Sequence, residues 1–244
     1  MRGFHIFGAI WPQLLAARDL FGSSEDLPAR HWRNLFAGTL PTLLQAHVPA
    51  VARMALFQEG LAAAQTDGQT RWAVRHLAAL GECQAAAGAP FDAGSYWERS
   101  LTLARRLGDP VEEAALLSRL GANHAALGET GSATDCYEEA LALRRQVNDQ
   151  AGELETLTRL AALYAEDGQH ARALACYDRA APLVEESGDK RARLDVLVRL
   201  GDALVATGEH VRAARDYAEA LPLARDASDR VCELDLLARL SATA

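Results

Sequence analysis

The feature that most constrains the fold of this chain is an internal repeat with a period of 40 residues. When the sequence is aligned with itself at this spacing, similar residues fall into columns without insertions. The clearest columns are leucine (Leu80, Leu120, Leu160, Leu200, Leu240), glycine (Gly88, Gly128, Gly168, Gly208), alanine (Ala93, Ala133, Ala173, Ala213) and an aromatic residue (Trp97, Tyr137, Tyr177, Tyr217). Such regularity indicates an array of equivalent structural units.

Each unit contains two amphipathic helices, because apolar residues recur at steps of three and four. A glycine such as Gly168 ends the first helix, since glycine adopts positive φ at low cost. A column of aspartates then caps the next unit: Asp109, Asp149, Asp189 and Asp229. The predicted fold class is all-α, a right-handed α-solenoid of stacked antiparallel helical hairpins.

Two further columns predict how these helices pack. The glycine after the second leucine (Gly81, Gly121, Gly201) and the alanine facing it are expected to let the two helices of a hairpin approach closely. The aromatic column is expected to fill the space between hairpins.

The order Leu-x-x-Leu-Gly, a glycine seven residues on, then Ala, Tyr and Ala-Leu resembles the tetratricopeptide repeat (TPR), best in residues 117–153. The longer period is similar to the repeats of kinesin light chain, Leu-Gly-Asn-repeat adaptors and the sensor regions of bacterial STAND regulators. The resemblance covers residues 71–241 and implies a TPR-like superhelix. It does not identify a partner, because one fold hosts many functions.

The two ends depart from the pattern. Residues 1–70 are predicted to form an atypical helical N-terminal cap with one degenerate repeat, with helices over 8–21, 31–45 and 46–66. The alternative is that this segment is a linker from an upstream domain. Residues 71–244 are predicted to form four TPR-like repeats plus a C-terminal capping helix. Three alternatives stay open for that helix: it caps the array, its outer apolar edge pairs with another subunit, or it is followed by more repeats in a longer protein.

Composition excludes several classes of partner. A net charge of −8 argues against nucleic acid, because phosphate binding requires a dense basic surface. No apolar run approaches the ~18 residues of a membrane span, and His5, Pro12 and Gln13 interrupt the apolar N-terminus. Cys83, Cys136, Cys176 and Cys232 form no CxxC pair, so packed, reduced thiols and a cytoplasmic location are expected.

No catalytic pattern is present. The sequence contains no P-loop, GxGxxG, HExxH or GxSxG motif. His124 falls in a column of apolar residues, which predicts a packed side chain, and His170 and His210 follow turns where exposure is expected. The sequence therefore predicts a non-enzyme with no catalytic residue, no cofactor and no metal.

The resemblance to TPR proteins implies that the first helix of each hairpin lines a concave groove. In chaperone-binding relatives a basic residue two positions before the glycine grips a peptide carboxylate. Arginine holds this position in four successive units here, Arg119, Arg159, Arg199 and Arg239. Mostly small residues are predicted to form the partner-binding floor: Ser118, Ala122, Thr158, Ala162 and Val198, with Asp202. The alternative is that helical ion pairs neutralise the arginines, because Glu155, Asp195 and Asp235 lie four residues earlier. Arg119 has no such partner, because Ala115 stands at that offset.

The predicted function is a protein–protein interaction scaffold that binds an acidic or amphipathic peptide or helix. One departure bears on the binding mode. Peptide-clamping relatives place asparagine after the glycine, whereas this chain has Glu82, Ala122, Ala162 and Asp202 there. Two alternatives stay open: a ligand-sensing region of a bacterial signalling or transcription regulator, and a scaffold that forms a homo-oligomer through its terminal helices.

Overall fold

The computed structural model describes residues 50–243 of the chain, and these residues form a succession of α-helices joined by tight turns. The helices are α1 (Ala50–Thr66), α2 (Thr70–Ala86), α3 (Pro90–Leu107), α4 (Pro110–Ala126), α5 (Thr130–Gln146), α6 (Gln150–Glu166), α7 (His170–Ser187), α8 (Lys190–Ala206), α9 (His210–Asp226) and α10 (Arg230–Thr243). The helix expected over 46–66 corresponds to α1. The helices expected over 8–21 and 31–45 lie outside the described residues.

The turns follow the glycine and aspartate columns. The glycines that end the first helices have positive φ, as at Gly168 with φ 74°. Asn148 and Ser228 adopt φ of 55° and 56° where Gly108 and Gly188 stand in other units. Asparagine tolerates this region better than most residues, and serine there was not anticipated.

The aspartate column caps the following helices as predicted. Asp149 Oδ1 accepts the Gly152 amide hydrogen at 2.9 Å, and Asp189 Oδ1 accepts from Arg191 and Ala192 at 2.9 and 3.1 Å. Equivalent hydrogen bonds involve Asp109 and Asp229. Each cap satisfies amide groups that the first helical turn leaves without an intrahelical partner.

The chain divides between Asn123 and His124 into two compact units. In the first, α2 packs against α1 and α3, around a core that includes Leu56, Phe57, Leu77 and Leu80. The short turn between α2 and α3 makes them an antiparallel hairpin.

The second unit contains the pairs α6–α7 and α8–α9, with α5 packed on α6 and α10 on α9. Its core holds the leucine and aromatic columns together: Leu157, Leu160, Leu197, Leu200, Tyr137, Tyr177 and Tyr217. Both units are thus built from helices alone over the described range, the all-α hairpin class that the sequence predicts.

The glycine column has a different packing role from the one expected. A Cβ on Gly81 would lie 2.5 Å from Nε1 of Trp97, and one on Gly201 would overlap the Tyr217 ring. The Trp97 indole also donates to the Ala78 carbonyl at 3.1 Å, within the same hairpin. The glycine makes room for the aromatic ring of its own hairpin. The aromatic column therefore packs within each hairpin and does not only fill the space between hairpins.

From α1 to α10, none of the helices is long and apolar enough to cross a lipid bilayer. The cysteines all lie in the described range and form no disulfide; Cys83 and Cys176 are buried, whereas Cys136 and Cys232 are half-buried.

Candidate binding surface on the first helices

A repeated contact between tyrosine and arginine organises the second unit. Each arginine lies 22 residues after an aromatic residue of the preceding second helix. Arg159 on α6 lies beside the hydroxyl of Tyr137 on α5, and Arg199 on α8 lies beside that of Tyr177 on α7; each guanidinium partly offsets the rise in the tyrosine pKa that burial causes. The Arg239 guanidinium lies 5.8 Å from the centroid of the Tyr217 ring. We call Arg159, Arg199 and Arg239, with the faces of α6, α8 and α10 that carry them, the arginine face.

The tyrosine rings give these contacts a rigid base, because all three are buried. Burial raises the pKa of Tyr137, Tyr177 and Tyr217 above the ordinary phenol value, so each remains neutral near neutral pH. A neutral phenol beside a guanidinium leaves the positive charge of the arginine in place.

Carboxylates on the same helices pair with these arginines. Arg159 Nη2 lies 3.0 Å from Glu155, and Arg199 Nε lies 2.9 Å from Asp195. Arg239 on α10 contacts Asp235 of its own helix, at 2.7 Å, and also Asp202 on α8. The helical ion pairs predicted from the four-residue spacing are confirmed. Exposed pairs of this kind contribute only about 0.3–0.5 kcal/mol each.

Arg119, on α4 of the first unit, obtains its partner from an earlier hairpin. Its Nε donates to Glu82 Oε1 at 3.0 Å, across 37 residues of sequence. Local spacing did not reveal this pair. The columns contained a signal, because Glu82 and Asp202 both follow the glycine, and Asp202 likewise contacts the next arginine, Arg239.

The predicted floor residues are only partly available to a ligand. Ser118 is buried and its hydroxyl donates to the Ala114 carbonyl at 3.0 Å. Thr158 donates to the Glu155 carbonyl at 2.8 Å beside Arg159. Asp202 is exposed and accepts from the Tyr217 hydroxyl at 2.7 Å. The remaining small residues are half-buried: Ala122, Ala162 and Val198.

The histidines and acidic residues show no convergence on a reactive centre. His124 is half-buried, and its Nδ1 lies 2.6 Å from Glu129 Oε2. Among residues 50–243, no three His, Cys, Asp or Glu side chains are grouped so that they could hold a metal ion.

Sequence reasoning did not single out His76, which α2 buries against α1. The imidazole lies 6.1 Å from the Trp72 ring and 6.5 Å from the Phe57 ring, between centroids. Burial lowers the pKa of His76 to about 4. The repeat could have indicated that His76 is buried, because the equivalent residues in later units, Leu116, Thr156 and Val196, are all buried.

Hairpins joined by positive-φ turns, with a glycine cradling an aromatic ring, define a helical-repeat protein. The sequence matches the family model described as tetratricopeptide repeat over residues 55–146 and 152–226. The chain therefore belongs to the tetratricopeptide repeat family. No curated protein matches it.

Several solved structures share this fold at low identity. The apo form of RapI superposes with a TM-score of 0.74 at 13% identity, covering 99% of this chain and 67% of that one. A putative kinesin light chain with TPR-like repeats from Podosopora anserina superposes with a TM-score of 0.67 at 15% identity, covering 82% of this chain and 98% of that one. A Rap protein complexed with Competence and Sporulation Factor superposes with a TM-score of 0.61 at 17% identity, covering 99% of this chain and 72% of that one. These likenesses establish the fold alone.

Proposed function

We propose that this protein is a non-enzymatic interaction scaffold whose arginine face binds an amphipathic peptide or helix that carries carboxylates. The observation that carries the proposal is the threefold Tyr–Arg contact, which places a guanidinium at one register position of α6, α8 and α10. A single such pair would be an ordinary surface contact. Repeated at a regular spacing, the arginines can contact several carboxylates of one ligand at the same time.

These arginines are held in place and still accessible. Their side chains are 47%, 47% and 31% exposed for Arg159, Arg199 and Arg239. Arginine presents a planar fork of donors suited to carboxylates, and a guanidinium already fixed against a ring loses less freedom on binding. Contacts with tyrosine therefore prepare each arginine for a carboxylate ligand.

The resident carboxylates favour an amphipathic partner over a uniformly acidic one. Glu155 and Asp195 balance Arg159 and Arg199, and Asp202 adds a further negative group beside Arg239. A ligand carboxylate can displace an exposed pair at small cost, but a run of acids would meet repulsion. A partner with spaced carboxylates, and a basic group opposite Asp202, fits this distribution of charge.

A peptide array with the full chain as probe tests this function. The peptides would be amphipathic segments with acidic, mixed or basic charged positions, probed with wild type and with Arg159→Gln/Arg199→Gln. We expect mixed-charge peptides to bind wild type and to lose about tenfold in affinity with the variant. Arg212→Gln/Arg215→Gln on α9 is the matched control. Equal binding by both double variants would show that the arginine face is not the binding surface.

The likeness to a Rap protein complexed with Competence and Sporulation Factor supports the alternative of a ligand-sensing region of a bacterial regulator. A sensor must transmit binding, whereas a scaffold need not. Hydrogen exchange of the described helices, measured with and without a peptide selected on the array, separates the two. Protection limited to α6 and α8 favours a scaffold, and altered exchange in helices outside the contact favours a sensor.

A second candidate, self-association through α10, rests on its apolar outer face. Val231, Leu234 and Leu237 are 80%, 55% and 41% exposed. The equivalent Leu194 and Leu197 lie on α8, which packs between α7 and α9, and are each only 8% exposed. Large apolar side chains in a contiguous exposed group are typical of an interface.

Sedimentation across a concentration series tests this candidate. We expect a dimer of wild type that Leu234→Ser/Leu237→Ser dissociates, with Val211→Ser as the control for an isolated exposed residue (87%). A wild-type protein that stays monomeric at all concentrations would exclude self-association.

A further inference from the structure

A small cavity in the second unit, which shares no residue with the arginine face, has the chemistry of a ligand site. It is a pocket open to solvent on one side, lies among α5, α6 and α7, and has a volume of about 240 Å³. Both apolar and charged side chains line it, including Leu141, Arg145, Leu160, Cys176 and Arg179. At the density of liquid water this volume corresponds to about eight water molecules, and so to a ligand of about eight heavy atoms.

The apolar part of the lining is buried and uncharged. Leu141, Leu160 and Cys176 are all buried. Burial raises the pKa of the Cys176 thiol to about 11, so the group is protonated at neutral pH and contributes an apolar surface. This part of the cavity suits an aliphatic group.

The cationic part has two arginines that share one carboxylate. Arg145 Nε donates to Glu153 Oε1 at 2.6 Å, and Arg179 Nη2 lies 3.7 Å from the same oxygen. Both arginine side chains are about half exposed, at 49% and 45%. Because the two guanidinium groups share this one carboxylate, they retain hydrogen-bond donors for a ligand carboxylate.

The same cavity also contains a carboxylate of its own. Glu138 lines it and accepts a hydrogen bond from the Tyr164 hydroxyl at 3.3 Å. A carboxylate has further acceptor sites after one such bond, so Glu138 can also accept from an ammonium group. A ligand that carries only a negative charge would leave this group without a counterpart.

We propose that this cavity binds a free α-amino acid with an aliphatic side chain, of the size of valine or leucine. The ligand carboxylate contacts Arg145 and Arg179, its ammonium group contacts Glu138, and its side chain packs on Leu141, Leu160 and Cys176. This binding site is separate from the proposed interaction function, and the proposal does not depend on that function.

The next hairpin provides an internal comparison. Shifting the lining by one period replaces both arginines by glutamates, Glu185 and Glu219, and replaces Cys176 by Asp216. The aromatic Tyr164 becomes Leu204, and Ala142 becomes Pro182. One period earlier most of the lining is the same, but Glu139 stands in place of Arg179 and His124 in place of Tyr164. The pair of arginines in one wall is therefore the feature that neither neighbouring period repeats.

Isothermal titration of the full chain tests the proposal with three probes of similar shape. L-leucine carries both charges, 4-methylpentanoate lacks the ammonium group, and 3-methylbutylamine lacks the carboxylate. We expect saturable binding of L-leucine and at least tenfold weaker binding of the other two. No binding of L-leucine at millimolar concentration would overturn the proposal, and equal affinity for 4-methylpentanoate would overturn the role of Glu138.

Two variants locate the binding site. Arg145→Gln/Arg179→Gln should weaken L-leucine about tenfold to a hundredfold, whereas Glu185→Gln/Glu219→Gln, at the equivalent positions one hairpin on, should leave it unchanged. Ala142→Leu, at an exposed lining position, should block the cavity without removing a charge. A thermal melt of each variant checks that it is folded. Unchanged affinity in folded Ala142→Leu would place the ligand elsewhere and overturn the proposal.

Discussion

The Arg144 guanidinium on α5 occupies the space that the missing side chain of Gly152 leaves on α6. A Cβ on Gly152 would overlap Arg144 Nη1. Asp149 joins the two residues, because Oδ2 accepts from Arg144 Nη1 at 2.8 Å and Oδ1 accepts from the Gly152 amide at 2.9 Å. Other units have small apolar residues in place of Arg144, namely Ala104, Val184 and Ala224, and none has glycine in place of Gly152. The two departures from the repeat are therefore complementary.

Gly152→Ala should destabilise the protein, against the usual effect of alanine in a helix. Helix propensity alone favours alanine over glycine by about 1 kcal/mol. Here the added methyl group displaces Arg144 from its pair with Asp149, and overpacking of this kind costs about 1–3 kcal/mol. Urea denaturation measures the net change. Gly131→Ala on α5 is the matched control, because a Cβ there meets nothing within 4 Å. A stabilised Gly152→Ala would mean that Arg144 moves aside at no cost.

Tyr177→Ala should lower the free energy of unfolding by about 3–5 kcal/mol, because it leaves a cavity in the core of the second unit. Tyr177→Phe separates the ring from the hydroxyl. It keeps the packing and removes only the hydroxyl beside Arg199, so a loss of about 1 kcal/mol at most is expected. Urea denaturation of both variants measures the difference. A phenylalanine variant as unstable as the alanine variant would show that the Arg199 contact, and not the ring, dominates.

The repeat made helix ends predictable, whereas the partners of individual side chains depended on helix rotation. Positive φ at Gly168 and the cap at Asp149 follow from local chemistry, which a column of identical residues shows directly. That Gly81 accommodates Trp97 depends on which faces of α2 and α3 meet, and periodicity alone does not determine that rotation.

The candidate sites show the same division. The i,i+4 pair of Glu155 and Arg159 follows from helix geometry and was predicted. The pair of Glu82 and Arg119 spans 37 residues and appears only when hairpins stack. The cavity brings together Arg145, which recurs as Arg105 and Arg225, and Arg179, whose equivalents Glu139 and Glu219 are acidic. The columns show each residue separately, whereas helix packing determines that the two arginines share one wall.

Acid should destabilise the first unit through His76. Burial lowers the pKa of His76 to about 4 in the folded protein, from 6.5 in the unfolded chain. Between these values the unfolded state binds a proton and the folded state does not, so stability falls as the pH drops from about 6.5 to about 4. The linked loss approaches about 3 kcal/mol.

Urea denaturation at several pH values measures this dependence. His76→Leu, which introduces the residue of the equivalent Leu116, should flatten the stability profile in that window. His210→Leu, at an exposed position, should leave it unchanged. A wild-type stability that is constant from pH 6.5 to pH 4 would contradict the buried, neutral state of His76.

Two neighbouring ion-pair triads of opposite charge should make the stacking of hairpins sensitive to charge reversal. Glu153 lies between Arg145 and Arg179, and one period later Arg193 lies near Glu185, at 3.6 Å, and Glu219. Arg193→Glu would bring three carboxylates together and should lower stability by about 1 kcal/mol at low salt, less at high salt. Adding Glu185→Arg and Glu219→Arg recreates the arrangement around Glu153 and should restore stability. Thermal melts of the single and triple variants at two salt concentrations measure both effects. A triple variant no more stable than Arg193→Glu alone would show that neighbouring groups, and not the triad, determine the preferred charge at this position.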